Sequence, residues 1–152
     1  IMLKEAAQII SQAHQNGLVA ILWIYPRGKN IPDPKEGGLT AGAAGIATSL
    51  GADFVKITVP HEEKNQTIAE ILNFVQNIAG NTKVICSGGE AINPEQFLKN
   101  IYDQINNGHV HGAAIGRNIY QHKLNYAIKM TEAIYGIIYE NLTLDQAIKI
   151  LK

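Results

Sequence analysis

A lysine stands in the middle of the apolar segment 52–59, Ala-Asp-Phe-Val-Lys-Ile-Thr-Val. An ammonium group on a buried strand must be paired with another group or used in chemistry. A neutral lysine amine attacks ketones and aldehydes to form a Schiff base. Keeping such an amine neutral requires a closed, mostly apolar pocket, because moving a lysine pKa from about 10.4 to about 7 takes roughly 4–5 kcal/mol. Lys56 is therefore a candidate catalytic residue, and the alternative is a lysine that protects an exposed sheet edge.

A second apolar segment, 18–25, places Trp23 and Tyr25 two residues apart and so on one face of a strand. A phenol beside a Schiff-base lysine can move protons during bond cleavage. The alternative is that the two aromatic side chains only pack in the core. Pro26 ends the segment, and Arg27 and Lys29 then bring positive charge to its carboxyl end. Arg27 is a candidate contact for an anionic substrate.

Two glycine-containing turns follow the last two predicted strands, Ser87-Gly88-Gly89 and Gly116-Arg117-Asn118. Glycine lets backbone N–H groups approach an anion closely, and an arginine can bind phosphate oxygens bidentately. A glycine after a strand is often an ordinary turn. Together, however, the two turns match the phosphate site that follows strands seven and eight of a (β/α)8 barrel.

Other patterns for chemistry are weaker. His109 and His111 share a face but have no third ligand for a metal. Cys86 has no evident activating base, and Ser87 has no histidine and acid pattern for hydrolysis. We therefore predict no metal site from these residues.

The elements that must position these residues alternate along the chain. Strands are predicted at 18–25, 53–59, 83–86 and 112–115, and helices at 3–16, 39–50, 63–79, 94–107, 119–139 and 143–152. This order predicts an α/β fold with a parallel sheet covered by helices. The turn-rich stretch 26–38 follows the carboxyl end of a strand, where such folds carry ligand-binding loops.

Composition excludes several classes of partner. The 152 residues carry a formal net charge of zero and only 17% charged residues, so neither nucleic acid nor an anionic membrane surface is expected. The longest apolar run has eight residues, 18–25, whereas a membrane span needs about 18. A single cysteine cannot form an internal disulfide, which favours a reducing cytoplasm.

Four segments in combination closely resemble the archaeal-type class I fructose-1,6-bisphosphate aldolases, in their order and in the spacing of Tyr25 and Lys56. They are Trp-Ile-Tyr-Pro-Arg-Gly at 23–28, Leu-Gly-Ala-Asp-Phe-Val-Lys at 50–56, Ser-Gly-Gly at 87–89 and Ala-Ile-Gly-Arg-Asn-Ile-Tyr-Gln at 114–121. The resemblance extends to about Gly136. It implies a TIM barrel, of which this chain is the second half, strands five to eight. Residues 1–152 would form one domain, with 137–152 a variable helical tail.

The resemblance also implies a role for each candidate residue. Lys56 would be the Schiff-base lysine, Tyr25 the general acid/base for carbon–carbon cleavage, and Trp23 would shape the pocket beside them. The phosphate of the dihydroxyacetone phosphate moiety would be held by Ser87, Gly88, Gly89, Gly116 and Arg117. The mechanism needs no metal and no cofactor.

The chain departs from the family in two ways. A full barrel takes about 250 residues, and an aspartate that the family places on the first strand has no counterpart here. Asp53 precedes Lys56 by an odd number of residues, so it is expected to face away from the pocket.

The expected partners are a sugar-phosphate substrate and either a separately encoded first half or a second copy of the chain. Two alternatives stay open. One is an inactive sugar-phosphate-binding remnant. The other is a related synthase or thiolase of the same superfamily that acts on another phosphorylated ketose.

Overall fold

The computed structural model describes all 152 residues and contains one four-stranded parallel sheet. The strands lie in chain order, so each strand pairs with the next one along the chain. They are β1 (Ile21–Trp23), β2 (Phe54–Ile57), β3 (Lys83–Ser87) and β4 (Gly112–Ala114). The predicted parallel α/β arrangement is therefore confirmed.

Helices connect the strands and follow the last one. They are α1 (Met2–Gln15), α2 (Gly37–Ser49), α3 (Ile68–Ala79), α4 (Pro94–Asn106), α5 (Arg117–Tyr120), α6 (Leu124–Tyr139) and α7 (Leu144–Leu151). None of them is both long and apolar enough to cross a membrane.

Most predicted ends agree with the structure to within one or two residues, and three elements differ by more. The strand predicted at 18–25 is shortened to β1, which has only β2 to pair with. The helix predicted at 63–79 begins at Ile68, because Thr67 and Glu70 form a reciprocal capping box there. The helix predicted at 119–139 is split into α5 and α6, since Lys123 has an extended backbone conformation and caps α6.

The sheet has one buried face and one open face. Val55, Ile57, Val84 and Cys86 alternate along β2 and β3 and are fully or almost fully buried in the main core, with residues of α1, α2 and α3. The intervening side chains occupy the opposite face, which we call the inner face: Ile21, Trp23, Phe54, Lys56, Lys83, Ile85 and Ser87. Parallel sheets are normally covered on both faces. The inner face here carries no covering layer from this chain.

A second core lies beyond β4, where α4, α6 and α7 pack together. It includes Phe97, Met130 and Ile137. Ala147 and Leu151 of α7 are also buried in it, so the last helix packs against the rest of the chain. Residues 137–152 are mainly helical; their variability and the domain boundary remain predictions.

Asp53 ties the amino ends of β1 and β2 together. Its Oδ2 accepts a hydrogen bond from the Ala20 N–H at 2.8 Å and lies 2.9 Å from Nε2 of His14 on α1. These contacts hold the pKa of the Asp53 carboxyl below its ordinary value of 3.8. The hydrogen bond from the Ala20 N–H has the larger effect, and the contact with His14 has the next largest. Asp53 thus contacts α1, on the covered side of the sheet, and its side chain faces away from the inner face, as its odd spacing from Lys56 predicts.

A carboxyl group whose pKa is lower in the folded chain than in the unfolded chain stabilises the fold at pH values above its unfolded pKa. This stabilisation is lost as the pH falls through its folded pKa. We expect the wild-type chain to lose stability steeply below about pH 4, and Asp53→Asn to show a flatter dependence in that range. Urea unfolding at pH 6 and pH 3 measures this difference. Glu132→Gln, an exposed carboxyl on α6, serves as the control. Parallel pH profiles for the Asp53 variant and the wild type would contradict the assignment.

Candidate active site

The strand register brings Trp23 and Lys56 side by side on the inner face. The two residues are direct partners between β1 and β2. The Lys56 Nζ lies 4.3 Å from the centroid of the Trp23 ring, within the range of a cation–π contact. Trp23 is nevertheless 68% exposed, because nothing in the chain packs over the inner face. The Lys56 side chain itself is half-buried, and the Trp23 ring lies against its ammonium group.

Tyr25 lies two residues beyond Trp23, nearer the carboxyl edge of the sheet. The Ile24 N–H donates to the Lys56 carbonyl at 3.1 Å, so pairing with β2 continues just beyond β1. Ile24 packs against the main core, and strand alternation then turns the next side chain to the inner face. Tyr25 is half-buried there. Trp23 and Lys56 are thus direct partners on the inner face, and strand alternation gives Tyr25, just beyond β1, the same face.

Ser87 and Gly88 bring the ends of β3 and β4 together. Ser87 is the register partner of Ala114, and the Gly88 N–H donates to the Ala114 carbonyl at 2.9 Å. A Cβ atom on Gly88 would lie 3.0 Å from Cα of Ile115. Only glycine fits this close backbone approach comfortably. Because the Gly88 N–H is bonded to the Ala114 carbonyl, any free N–H donors at the carboxyl edge of the sheet belong to other residues.

Free backbone N–H donors lie in both turns, on either side of the contact between Gly88 and Ile115. The N–H groups of Gly89, Gly116 and Arg117 take part in no hydrogen bond within the protein. Gly89 has a φ of 65°, which favours glycine, and the space around it is open. Gly116 caps the short helix α5. The Arg117 guanidinium is about half exposed and lies 4.0 Å from the Glu90 carboxylate, a contact too weak to fix it.

Asn118 is a site residue whose role the sequence did not reveal. It is only 2% exposed and spans the two turns with three hydrogen bonds. Its Nδ2 donates to the carbonyls of Gly88 (3.0 Å) and Glu90 (2.8 Å), and its Oδ1 accepts from the Ile92 N–H (3.0 Å). The only signal in the sequence was its place directly after Gly116 and Arg117.

The loop between β1 and α2 carries Arg27 and Lys29, and both are exposed. The following β2–α3 loop anchors it near its end. The His61 Nε2 lies 3.0 Å from the Asp33 carboxylate, and the Glu63 carboxylate accepts from the first N–H of α2, that of Gly37, at 2.8 Å. Arg27 therefore stands at the carboxyl side of the sheet, but no contact in the structure assigns it to an anion.

A cleft of about 180 Å³ opens beside these turns. It lies between the carboxyl ends of β2 and β3 and helix α4, and its lining includes Thr58, Ser87, Gly89, Phe97 and Ile101. Larger cavities lie on the outer helices, between α3 and α4 and along α6, and do not include the residues of the inner face. The chemistry-bearing residues line an open surface rather than a closed pocket.

The remaining candidates do not come together. His111 contacts Gln76 at 3.1 Å, and desolvation, with a smaller effect of Lys83, lowers its pKa. Burial raises the pKa of the Cys86 thiol to about 12, so this cysteine stays protonated at neutral pH. No three side chains of His, Cys, Asp or Glu are placed to hold a metal ion together.

The chain resembles known aldolases in sequence. Residues 1–122 match the family model "DeoC/LacD family aldolase". A Methanocaldococcus jannaschii protein, "Fructose-bisphosphate aldolase/6-deoxy-5-ketofructose 1-phosphate synthase", is 50% identical over 99% of this chain and 47% of its own length. The Thermoproteus tenax "Fructose-bisphosphate aldolase class 1" is 33% identical over 89% of this chain and 50% of its own.

Solved structures agree with this. A fructose-bisphosphate aldolase from Slackia heliotrinireducens superposes with a TM-score of 0.94 at 43% identity, covering 99% of this chain and 48% of that one. An archaeal fructose-1,6-bisphosphate aldolase, solved with its catalytic lysine covalently bound to the carbinolamine intermediate of the substrate, gives 0.79 at 29% identity, covering 91% and 52%. The chain spans about half the length of these relatives. The motifs, the four parallel strands and the family match together show that it belongs to the DeoC/LacD aldolase family.

Proposed function

We propose that this chain supplies the Schiff-base half of a class I aldolase that cleaves fructose 1,6-bisphosphate to dihydroxyacetone phosphate and glyceraldehyde 3-phosphate. The observation that carries the proposal is the placement of Lys56 beside Trp23, with Tyr25 one step above, on the inner face. The free N–H groups of Gly89 and Gly116 lie at the same edge of the sheet. A nucleophilic amine, a proton carrier and an anion site are the parts that this reaction requires.

Lys56 and Tyr25 carry the nucleophilic and proton-transfer roles in the proposed reaction. The Lys56 Nζ adds to the C2 ketone and loses water to give an iminium ion. The C3–C4 bond then breaks and its electron pair moves into the iminium to give an enamine. The Tyr25 hydroxyl relays the proton, accepting it from the C4 hydroxyl while it gives its own proton to C3 of the enamine. Glyceraldehyde 3-phosphate leaves, and water then hydrolyses the iminium to release dihydroxyacetone phosphate and the free Lys56 amine. The iminium is the electron sink, so these steps need no metal and no cofactor.

The phosphate of the dihydroxyacetone moiety is held, in this proposal, by the N–H groups of Gly89, Gly116 and Arg117 and by the Arg117 guanidinium. The Gly88 N–H is already bonded to the Ala114 carbonyl, so it does not bind the phosphate. Gly88 instead lets the ends of β3 and β4 lie close together, which brings the two turns near each other. Ser87 ends the strand that presents the turn. Arg27 is our candidate for contact with an anionic part of the substrate.

The first half of the barrel completes the site. Strands β1 and β4 each have one neighbour, and the inner face lies open between them. Four further parallel strands would pair with both edges and bury the inner face. Removing water from around Lys56 favours the neutral amine that attacks the ketone. The single cysteine is a free, buried thiol, which is consistent with our placement of the protein in the cytoplasm.

A related synthase activity is the second candidate. The Methanocaldococcus jannaschii relative, at 50% identity, is named for both an aldolase and a 6-deoxy-5-ketofructose 1-phosphate synthase. Both names are compatible with the same Schiff-base lysine and a phosphorylated ketose. Product analysis with fructose 1,6-bisphosphate, alone and with an added acceptor aldehyde, distinguishes cleavage from transfer of the three-carbon unit.

Lys56→Ala tests the nucleophile. We expect the complete barrel to form one covalent adduct when dihydroxyacetone phosphate and borohydride are added, and the variant to form none, because no other amine replaces the lost nucleophile. Intact-mass spectrometry counts the adducts. Lys83→Ala is the matched control, since Lys83 is the other inner-face lysine and also contacts an aromatic ring, that of Phe54 at 5.6 Å. An adduct that survives in the Lys56 variant would reject the assignment.

Tyr25→Phe tests the proton carrier. Loss of the phenol is expected to slow cleavage by about 10²–10⁴-fold while leaving adduct formation with dihydroxyacetone phosphate largely intact. Steady-state cleavage assays and borohydride trapping measure the two steps separately. Tyr139→Phe, which removes an exposed phenol on α6, is the control. Unchanged cleavage in Tyr25→Phe would assign the proton transfer to another group.

The open inner face predicts association. Without its first half, the chain is expected to elute above its monomer mass of 16.6 kDa at micromolar concentration, because apolar side chains and two sheet edges are exposed. Ile21→Lys should reduce the mass measured by light scattering. Ile128→Lys, at a similarly exposed isoleucine on α6, should not. A sharp monomer peak for the unmodified chain would argue against this prediction.

A further inference from the structure

We propose that Asn118 is a positioning residue that fixes the direction of the anion-binding N–H groups without touching the substrate. The inference rests on the proposed function, because it concerns the site that would hold the phosphate of the substrate. It extends that function by assigning a role to a buried side chain that the reaction itself does not use.

Asn118 joins two separate turns of the chain. It lies at the second position of α5, and its three hydrogen bonds reach Gly88, Glu90 and Ile92 in the β3–α4 loop. Both amide hydrogens and the amide oxygen have partners at 2.8–3.0 Å, and the residue is 2% exposed. A buried polar side chain that is fully satisfied in this way rigidifies its surroundings.

The contact with Gly88 sets the direction of the Gly89 N–H. In a trans peptide the carbonyl of one residue and the N–H of the next point in opposite directions. Because the Gly88 carbonyl points at the buried Asn118 amide, the N–H of Gly89 points away from it. The contact with Glu90 holds the carbonyl of the residue that follows Gly89. As a glycine, Gly89 could adopt many backbone conformations, and these contacts hold it in the left-handed one.

The same side chain fixes the second group of donors. Asn118 directly follows Gly116 and Arg117, whose N–H groups are also free. Its bonds to the β3–α4 loop therefore set the distance between the donors of one turn and those of the other. An anion that contacts both turns depends on this distance, so loss of Asn118 should weaken phosphate recognition and spare the chemistry at Lys56.

Two variants of the complete barrel, this chain with the first half that closes it, test the inference. Asn118→Asp keeps the acceptor for Ile92 but removes both donors, and Asn118→Ala removes all three bonds without adding charge. Asn125→Asp and Asn125→Ala, at an exposed asparagine of α6, are the controls. Borohydride trapping is measured against the concentration of dihydroxyacetone phosphate and, separately, of unphosphorylated dihydroxyacetone.

We expect the half-saturating concentration of dihydroxyacetone phosphate to rise by about 10- to 100-fold in both Asn118 variants, as for a misplaced binding group. Trapping of dihydroxyacetone should change by less than about twofold, which a general loss of folding would not produce. The inference is overturned if both ketones are affected equally, if neither is, or if only the aspartate variant differs from wild type.

Failure of the proposed function gives a different result. If the wild-type protein forms no adduct with either ketone, the aldolase assignment fails, and inorganic phosphate becomes the probe. The backbone ¹⁵N–¹H signal of Gly89 should then shift on phosphate addition in the wild type and respond at least about tenfold more weakly in Asn118→Ala. An equal response in the two proteins would overturn the positioning role itself.

Discussion

The in-register pairing of β1 with β2 is the constraint on which the rest of the site depends. It places Trp23 directly beside Lys56, and the two-residue repeat of a strand then gives Tyr25 the same face. The alternate residues, Val55 and Ile57, are anchored in the core. A shift of one residue would bury the lysine among apolar side chains and turn the core residues outward. The hydrophobic core therefore fixes the orientation of the candidate nucleophile.

The carboxyl edge of the sheet is organised by backbone contacts rather than by charge. Gly88 lets the ends of β3 and β4 approach closely, and Asn118 joins their turns through buried hydrogen bonds. Arg117 is the only cation of these turns, and it is loosely held. In the proposed function these prearranged N–H donors hold the anion, so the site does not require a strongly positive surface in a protein of zero formal net charge.

The open inner face connects the fold to the proposed chemistry. A Schiff-base lysine must be shielded from water, and in this chain Lys56 is only half-buried beside a Trp23 ring that is itself 68% exposed. The two edge strands and the exposed apolar side chains are the surfaces on which four more strands would close a barrel. The chain spans about half the length of its aldolase relatives, and the proposed function assigns the covering of the inner face to the other half of such a barrel.

The sequence by itself determined the order of strands and helices, the parallel sheet and the identity of the candidate residues. These features follow from local patterns: apolar runs, glycine turns and a lysine between apolar neighbours. It also indicated that Trp23 and Tyr25 share a face, which strand periodicity requires. Only the tertiary structure decided that the Gly88 N–H is occupied, that Gly89 and Gly116 keep free donors, and that Asn118 spans both turns. Those facts depend on contacts between residues about 30 positions apart, and no local pattern encodes which buried polar groups will meet.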